Sequence, residues 1–209
     1  MLSILVGNIK GGCGKTTIAT HLAAACAAGG YVTALADCDR QASSLGWLAR
    51  RPKDQPEILG LDWSKTISDA PSRIQRLVID APAAIRHKTV EALIEQADIV
   101  VVPVLPGVFD QDASAHFLGR LGEIKSVRKN RRQVVIVGNR LRPGTLALRQ
   151  LEAFFAALGN PVAARIRDGQ IYPAMASRGL TVFDDWSRRG RDHAAEWAPL
   201  LERLKVELS

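Results

Sequence analysis

The chain of 209 residues contains only three cysteines, Cys13, Cys26 and Cys38, an odd and scattered set. A disulfide framework needs paired cysteines, so these are expected as reduced thiols in a cytoplasmic protein. No run approaches the roughly 18 apolar residues of a membrane-spanning helix. Met1-Leu2-Ser3 leads straight into an apolar strand, which leaves no room for a signal peptide. The four histidines, His21, His87, His116 and His193, show no metal-binding spacing and read as structural or surface residues. No Ser-His-Asp or Cys-His arrangement stands out, and there are no internal repeats or low-complexity stretches. What is left is ordinary globular composition, 47% apolar and 23% charged. At this length a single domain over 1–209 buries a sizeable core without disulfides or metals. Basic residues exceed acidic ones by 28 − 21 = 7, which favours anionic partners, nucleic acid or acidic lipid.

Gly7-Asn8-Ile9-Lys10-Gly11-Gly12-Cys13-Gly14-Lys15-Thr16-Thr17 lies between an apolar run, Ile4-Leu5-Val6, and the helix-forming segment from Ile18. Strand, glycine loop, helix is the setting that makes a phosphate-binding loop. The glycines let backbone N–H groups point inward, and the helix N-terminus adds its positive dipole end. Lys15 is placed to reach the β/γ-phosphates and Thr16 to give its hydroxyl to Mg²⁺. The pattern G-x-x-x-x-G-K-T needs a glycine where Ile9 stands, so the match is to the variant K-G-G-x-G-K-T-T, with the extra Lys10. Cys13 sits inside the loop, where N–H groups and Lys15 are expected to lower its pKa, or where it simply fills a variable position.

The remaining pattern alternates strands and helices. Helices are expected over 16–28, 42–50, 89–96, 112–127 and 145–158, with a helical tail from about 194. Strands are expected over 32–36, 76–79, 99–102, 134–137 and 162–166, and residues 51–73 read as irregular connection with little core. The strands are apolar at successive positions, the mark of parallel strands covered on both faces. The expected fold is α/β, a single doubly wound, mostly parallel sheet flanked by helices. Such sheets bind ligands at the carboxyl ends of their strands, which gathers Lys15, Asp39, Asp80 and Asn139 on one rim. Asp80 ends an apolar strand, as a metal-holding carboxylate does, or caps a turn. Asp37 and Asp39 lie two apart, and in an extended segment both face the rim. Asp39 is the better candidate to orient an attacking water, with Asp37 nearer the metal; capping of the helix after them is the alternative. Asn139 is a candidate for an adenine edge, or a turn residue.

Three segments resemble the nucleotide motifs of the ParA/MinD ATPases with their deviant Walker A loop: Lys10-Gly11-Gly12-Cys13-Gly14-Lys15-Thr16-Thr17, Asp37-Cys38-Asp39-Arg40-Gln41 and Val78-Ile79-Asp80-Ala81-Pro82. The runs from Val101 to Asp110 and from Gly179 to Asp184 are similar to two further signatures. The length resembles that of the small plasmid-partition ParA proteins. The resemblance implies an ATP- and Mg²⁺-dependent ATPase that dimerises face to face on ATP. Lys10 then crosses to the partner's phosphates, Asp39 serves hydrolysis and Asn139 contacts adenine. It also implies nonspecific DNA binding by the ATP dimer, nucleoid association, and release by a ParB-like or cargo partner that stimulates hydrolysis. Arg40 departs from the family, which usually has proline there.

Residues 120–149 carry nine basic side chains and one acid, with Arg128, Lys129, Arg131 and Arg132 at the centre, and Arg188, Arg189 and Arg191 form a second cluster. Both are candidate DNA contacts, and several of the first group are expected to share a surface. A MinD-type membrane ATPase needs a basic amphipathic tail. The stripe Trp197, Leu200, Leu201, Leu204 and Leu208 faces Glu196, Glu202 and Glu207, so it is expected to pack on the domain instead. An iron–sulfur enzyme would need cysteines beyond Cys38, and none follows. An ATP-dependent small-molecule ligase remains a further alternative.

Overall fold

The computed structural model describes residues 1–82, 87–129 and 131–208. Seven strands make one sheet: β1 (Leu2–Val6), β2 (Thr33–Asp37), β3 (Ile58–Asp62), β4 (Arg76–Asp80), β5 (Ile99–Val104), β6 (Gln133–Leu141) and β7 (Val162–Arg167). Their order is β3-β2-β4-β1-β5-β6-β7, and every neighbouring pair runs parallel. Every crossover except that from β3 to β4 carries a helix: α1 (Lys15–Ala28), α2 (Ser43–Ala49), α3 (His87–Glu95), α4 (Val108–Glu123), α5 (Lys125–Arg128) and α6 (Leu146–Ala157). Beyond β7 come α7 (Ile171–Ala176), α8 (Arg188–Ala194) and α9 (Ala198–Arg203).

The continuous apolar strands have a direct cause. Ile4 and Val6 enter one core while Leu5 enters the other, and Val101 is separated from Val100 and Val102 in the same way. Successive strand side chains point to opposite faces, so a sheet covered on both sides needs apolar residues at every position. One face is covered by α1 and by Trp197, Leu200, Leu201 and Leu204 of the C-terminal segment. α3, α4 and α6 cover the other, through Leu93, Phe117, Leu151 and Phe155 among others. α1 is buried almost all round, and its small alanines allow close approach to the sheet. The C-terminal stripe packs on the domain as expected, except that Leu208 is exposed. Among the described residues no helix is long and apolar enough to cross a membrane.

Four expectations are corrected. Residues 51–73 contain β3, an edge strand paired only with β2, and Trp63 after it is buried. An edge strand needs few core residues, so Ile58-Leu59-Gly60-Leu61-Asp62 gives little periodic signal. The helix expected over 112–127 starts at Val108 and breaks at Ile124, whose backbone is extended. That break turns Ile124 and Val127 toward one core and brings the Ser126 hydroxyl to Glu95, to which it donates at 2.9 Å. β5 continues through Pro103, because β1 leaves the sheet after Gly7 and no longer asks that edge for an N–H; Asn8 Nδ2 donates to the Pro103 carbonyl at 2.8 Å. β6 runs on to Leu141 through Asn139, with an irregular register to β7 and a left-handed Arg140 at φ 54°.

His21 and His193 are buried, His116 is exposed, and the side chain of His87 lies outside the described residues. His21 stacks on Trp197 with ring centroids 4.8 Å apart. Its Nδ1 lies 2.7 Å from the Thr17 carbonyl and its Nε2 accepts from Val182 N at 3.3 Å, which fixes a neutral tautomer protonated on Nδ1. Burial, above all, lowers its pKa to about 4. Between pH 6.5 and 4 the unfolded chain takes up a proton that the folded chain refuses, so stability falls as the pH drops through that window. A shift of this size amounts to about 3 kcal/mol lost from pH 7 to pH 4. Urea titrations across pH on the wild type and His21→Phe test this. The variant is expected to lose that share of the pH dependence, whatever its stability at pH 7, and parallel curves would refute the assignment.

Candidate nucleotide site

The sheet register assembles the site. Val6 pairs with Asp80, and Asp80 pairs with Asp37, so three chains leave the sheet at one level. Leu35 and Val78 point to the face that α1 covers, and Asp37 and Asp80, two residues later, follow them. The phosphate loop turns over these carboxylates. Gly12 and Gly14 have left-handed φ of 74° and 94°. A Cβ on Gly14 would run into the Asn139 amide, whose Nδ2 donates to the Cys13 carbonyl at 2.8 Å. α1 starts at Lys15 with no side-chain cap, so its first N–H groups are left for an anion.

The charges fit a bound nucleotide and a cation. Lys15 is buried, and among the described residues its ammonium meets only the Lys10 carbonyl at 3.1 Å and Cys13 Sγ at 4.0 Å. Asp80 is buried with an Oδ1 that has no hydrogen-bond partner. Burial pushes its carboxyl up to about 7; the Thr16 hydroxyl pulls it down and the Asp37 charge adds to the rise. An orphaned carboxylate oxygen beside a hydroxyl is what a hard cation fits. Among the described residues no group of three His, Cys, Asp or Glu side chains gathers as a metal site. Mg²⁺ keeps waters and takes phosphate oxygens with one or two protein ligands, a part that Thr16 and Asp80 could fill.

Asp37 also anchors the helix that follows it. Its Oδ2 accepts from Ser44 N at 2.8 Å, Ser44 Oγ at 2.7 Å and Leu45 N at 3.2 Å, and its Oδ1 accepts from Asp39 N at 2.9 Å. Oδ2 is taken up in anchoring the start of α2, while Oδ1, with one donor, keeps a lone pair. Asp39 does not continue an extended segment. The chain turns there, and Asp39 Oδ1 accepts from Gln41 N at 3.0 Å while its side chain stays partly exposed at the rim. Burial, the largest influence, raises the Cys13 pKa, outweighing Lys15, which favours the reading that Cys13 fills a variable loop position.

Asn139 comes to the mouth of a cavity of about 370 Å³ whose walls include Thr17, Arg140, Asp168, Tyr172 and Pro173. It opens beside the loop on the side away from Asp37. The residues around it from 167 to 176 carried no motif and were missed. So was the link between the loop and α4. Asn8 Nδ2 donates to Ser114 Oγ at 2.9 Å, Ser114 donates to the Asp110 carbonyl at 2.7 Å, and Lys10 Nζ lies 3.5 Å from Asp110 Oδ1. The late signature is structural. Asp184 caps its own turn through Thr181 and forms a buried two-pronged pair with Arg51, at 3.1 Å for each prong.

The basic clusters separate. Arg128, Lys129, Arg131 and Arg132 lie at the amino end of β6, where Gln133 N bonds to the Asp98 carbonyl and Arg132 reaches Asp98 at 3.7 Å. Arg140 and Arg142 lie at its far end, so the 120–149 group does not form one surface. α8, which Arg188 and Arg189 open, ends with His193 packed over Gly169, just past the carboxyl end of β7.

A family model described as the CobQ/CobB/MinD/ParA nucleotide binding domain matches residues 4–182. Maintenance of carboxysome distribution protein A of Halothiobacillus neapolitanus is 28% identical over 211 residues, covering 97% of this chain and 95% of that protein. The fold is similar to the MinD cell division protein of Aquifex aeolicus, with TM-score 0.77, 19% identity and coverage of 99% and 98% of the two chains. It is likewise similar to Cyanothece McdA in complex with ATP, with TM-score 0.76, 14% identity and coverage of 99% and 97%. With the loop, the carboxylates and the parallel rim in place, the chain belongs to the CobQ/CobB/MinD/ParA nucleotide-binding domain family.

Proposed function

We propose that this chain is an ATP-driven positioning ATPase that dimerises on ATP, binds DNA without sequence preference and is released when a partner stimulates hydrolysis. The convergence of Lys15, Thr16 and the orphaned Asp80 oxygen at one end of β1 and β4 carries this reading. Lys15 and the free N–H groups of α1 hold the phosphates. Thr16 and Asp80 would hold Mg²⁺, which when bound neutralises charge on the phosphates. Asp39 orients the attacking water from the rim, and Asn139, with the adjoining cavity, receives the base. Lys10 leaves Asp110 to reach the second subunit's phosphates. Arg188, Arg189 and the Arg128–Arg132 group are the candidate DNA contacts. The relative's role in carboxysome distribution supports a large cellular body as cargo, held through a ParB-like or cargo-bound adaptor. The burial of the C-terminal stripe speaks against the membrane-surface alternative.

Single substitutions separate the steps. Asp39→Ala is expected to keep ATP affinity, to lose turnover by about 10²-fold or more, and to leave a long-lived dimer. Lys10→Ala is expected to bind ATP as a monomer. Light scattering with and without ATP, alongside phosphate release, decides: an ATP-dependent dimer of Lys10→Ala equal to the wild type refutes the cross-subunit role.

A further inference from the structure

The nucleotide site and the Arg128–Arg132 cluster occupy opposite ends of the sheet. Nine residues of β6 lie between Arg132 and Arg142, which is about 30 Å at the rise of a strand. Arg128, Lys129 and Arg131 are exposed. Among the described residues only Arg132 of the four is ion-paired, to Asp98. A cleft of about 450 Å³ beside the cluster is walled by Arg132, Asn160 and Arg203 among others, which extends the basic border toward the end of α9. Duplex DNA, with one phosphate charge per about 1.7 Å of axis, is the partner this concentration of unpaired arginine and lysine fits.

We propose that this amino-end cluster is a DNA surface and that the ATP dimer therefore bridges two separate duplex segments. The inference rests on the face-to-face dimer proposed above. Joining two carboxyl rims sends the two amino-end clusters to opposite outer poles, about 60 Å or more apart. DNA stays straight over about 150 base pairs, so a short duplex held at one pole points away from the other. Dimerisation then adds a second duplex rather than a second grip on the first, and the gain in avidity that two sites on one strand would give is absent on short DNA.

The test uses the full chain with ATP–Mg²⁺, duplexes of about 25 base pairs and random sequence, and a capture assay in which a bead-bound duplex retains a free fluorescent one. The wild-type dimer is expected to saturate at two short duplexes and to capture the free duplex only with ATP. The triple variant Arg128→Glu/Lys129→Glu/Arg131→Glu, all at exposed positions, is expected to dimerise normally and to capture at least 10-fold less. Milder Arg128→Ala/Lys129→Ala should flatten the slope of log affinity against log salt by about one unit per lost contact. A dimer that saturates with one short duplex, or a triple variant that captures like the wild type, overturns the bridge. Failure of the wild type to dimerise on light scattering refutes the dimer reading instead. The cluster is then judged by short-duplex binding of the monomer, which the triple variant must still lose.

Discussion

Lys15→Ala is expected to remove detectable ATP–Mg²⁺ binding, a loss of about 10²–10³-fold or more. The reason lies in how Lys15 is held. Its ammonium is buried at the start of α1 and bonds a carbonyl and a sulfur, while the Asp80 carboxylate acts on it only through space. A phosphate chain would supply the missing negative charge, and without the lysine that charge is left facing N–H groups alone. The same substitution should leave the nucleotide-free fold no less stable, since a buried ammonium with weak partners costs more than it returns. Calorimetry measures the first effect and urea unfolding the second. Affinity within tenfold of the wild type would show that phosphates bind elsewhere.

Asp80→Asn is expected to act in opposite directions on fold and function. In the nucleotide-free protein, with chelator at pH 8, it should raise stability by about 1–3 kcal/mol, because a buried carboxylate with an unpartnered oxygen becomes a neutral amide. With ATP and Mg²⁺ it should lower turnover by about 10²-fold or more. Paired unfolding curves and phosphate-release rates read both signs in one preparation. A variant less stable than the wild type without metal would mean that the Asp80 carboxylate is structurally satisfied, and the argument for a cation there would fail.

The strands and the phosphate loop were legible because each rests on a local rule. Apolar residues at every position mark a strand covered on both faces, and Lys10-Gly11-Gly12-Cys13-Gly14-Lys15-Thr16-Thr17 marks its own turn. What was not legible depends on contacts between distant segments. Nothing near Asp37 in the sequence tells whether its oxygens are free; Ser44 and Leu45, seven and eight residues on, decide it. β3 was missed because an edge strand buries little. The helix break at Ile124 was missed because it serves Glu95, about thirty residues earlier. The basic run near residue 130 was legible as charge but not as position, since one strand carries its members to opposite ends of the sheet.

The strand order has a consequence for synthesis. Of the seven strands β1 is translated first, yet it lies between β4 and β5. Its pairing partners do not exist until residues 76–80 and 99–104 have been made. At about 5–20 residues per second that is a wait of about 5–20 s. Until β4 emerges, Leu2-Ser3-Ile4-Leu5-Val6 is an apolar segment without a strand neighbour, and the loop behind it has neither Asp80 nor Asn139 to lie against. Nucleotide cannot template the early chain, and the earliest of the strands is among the last to become protected. Ribosome-stalled chains of increasing length, probed by proteolysis with and without ATP, should show protection of the loop only once β5 has emerged.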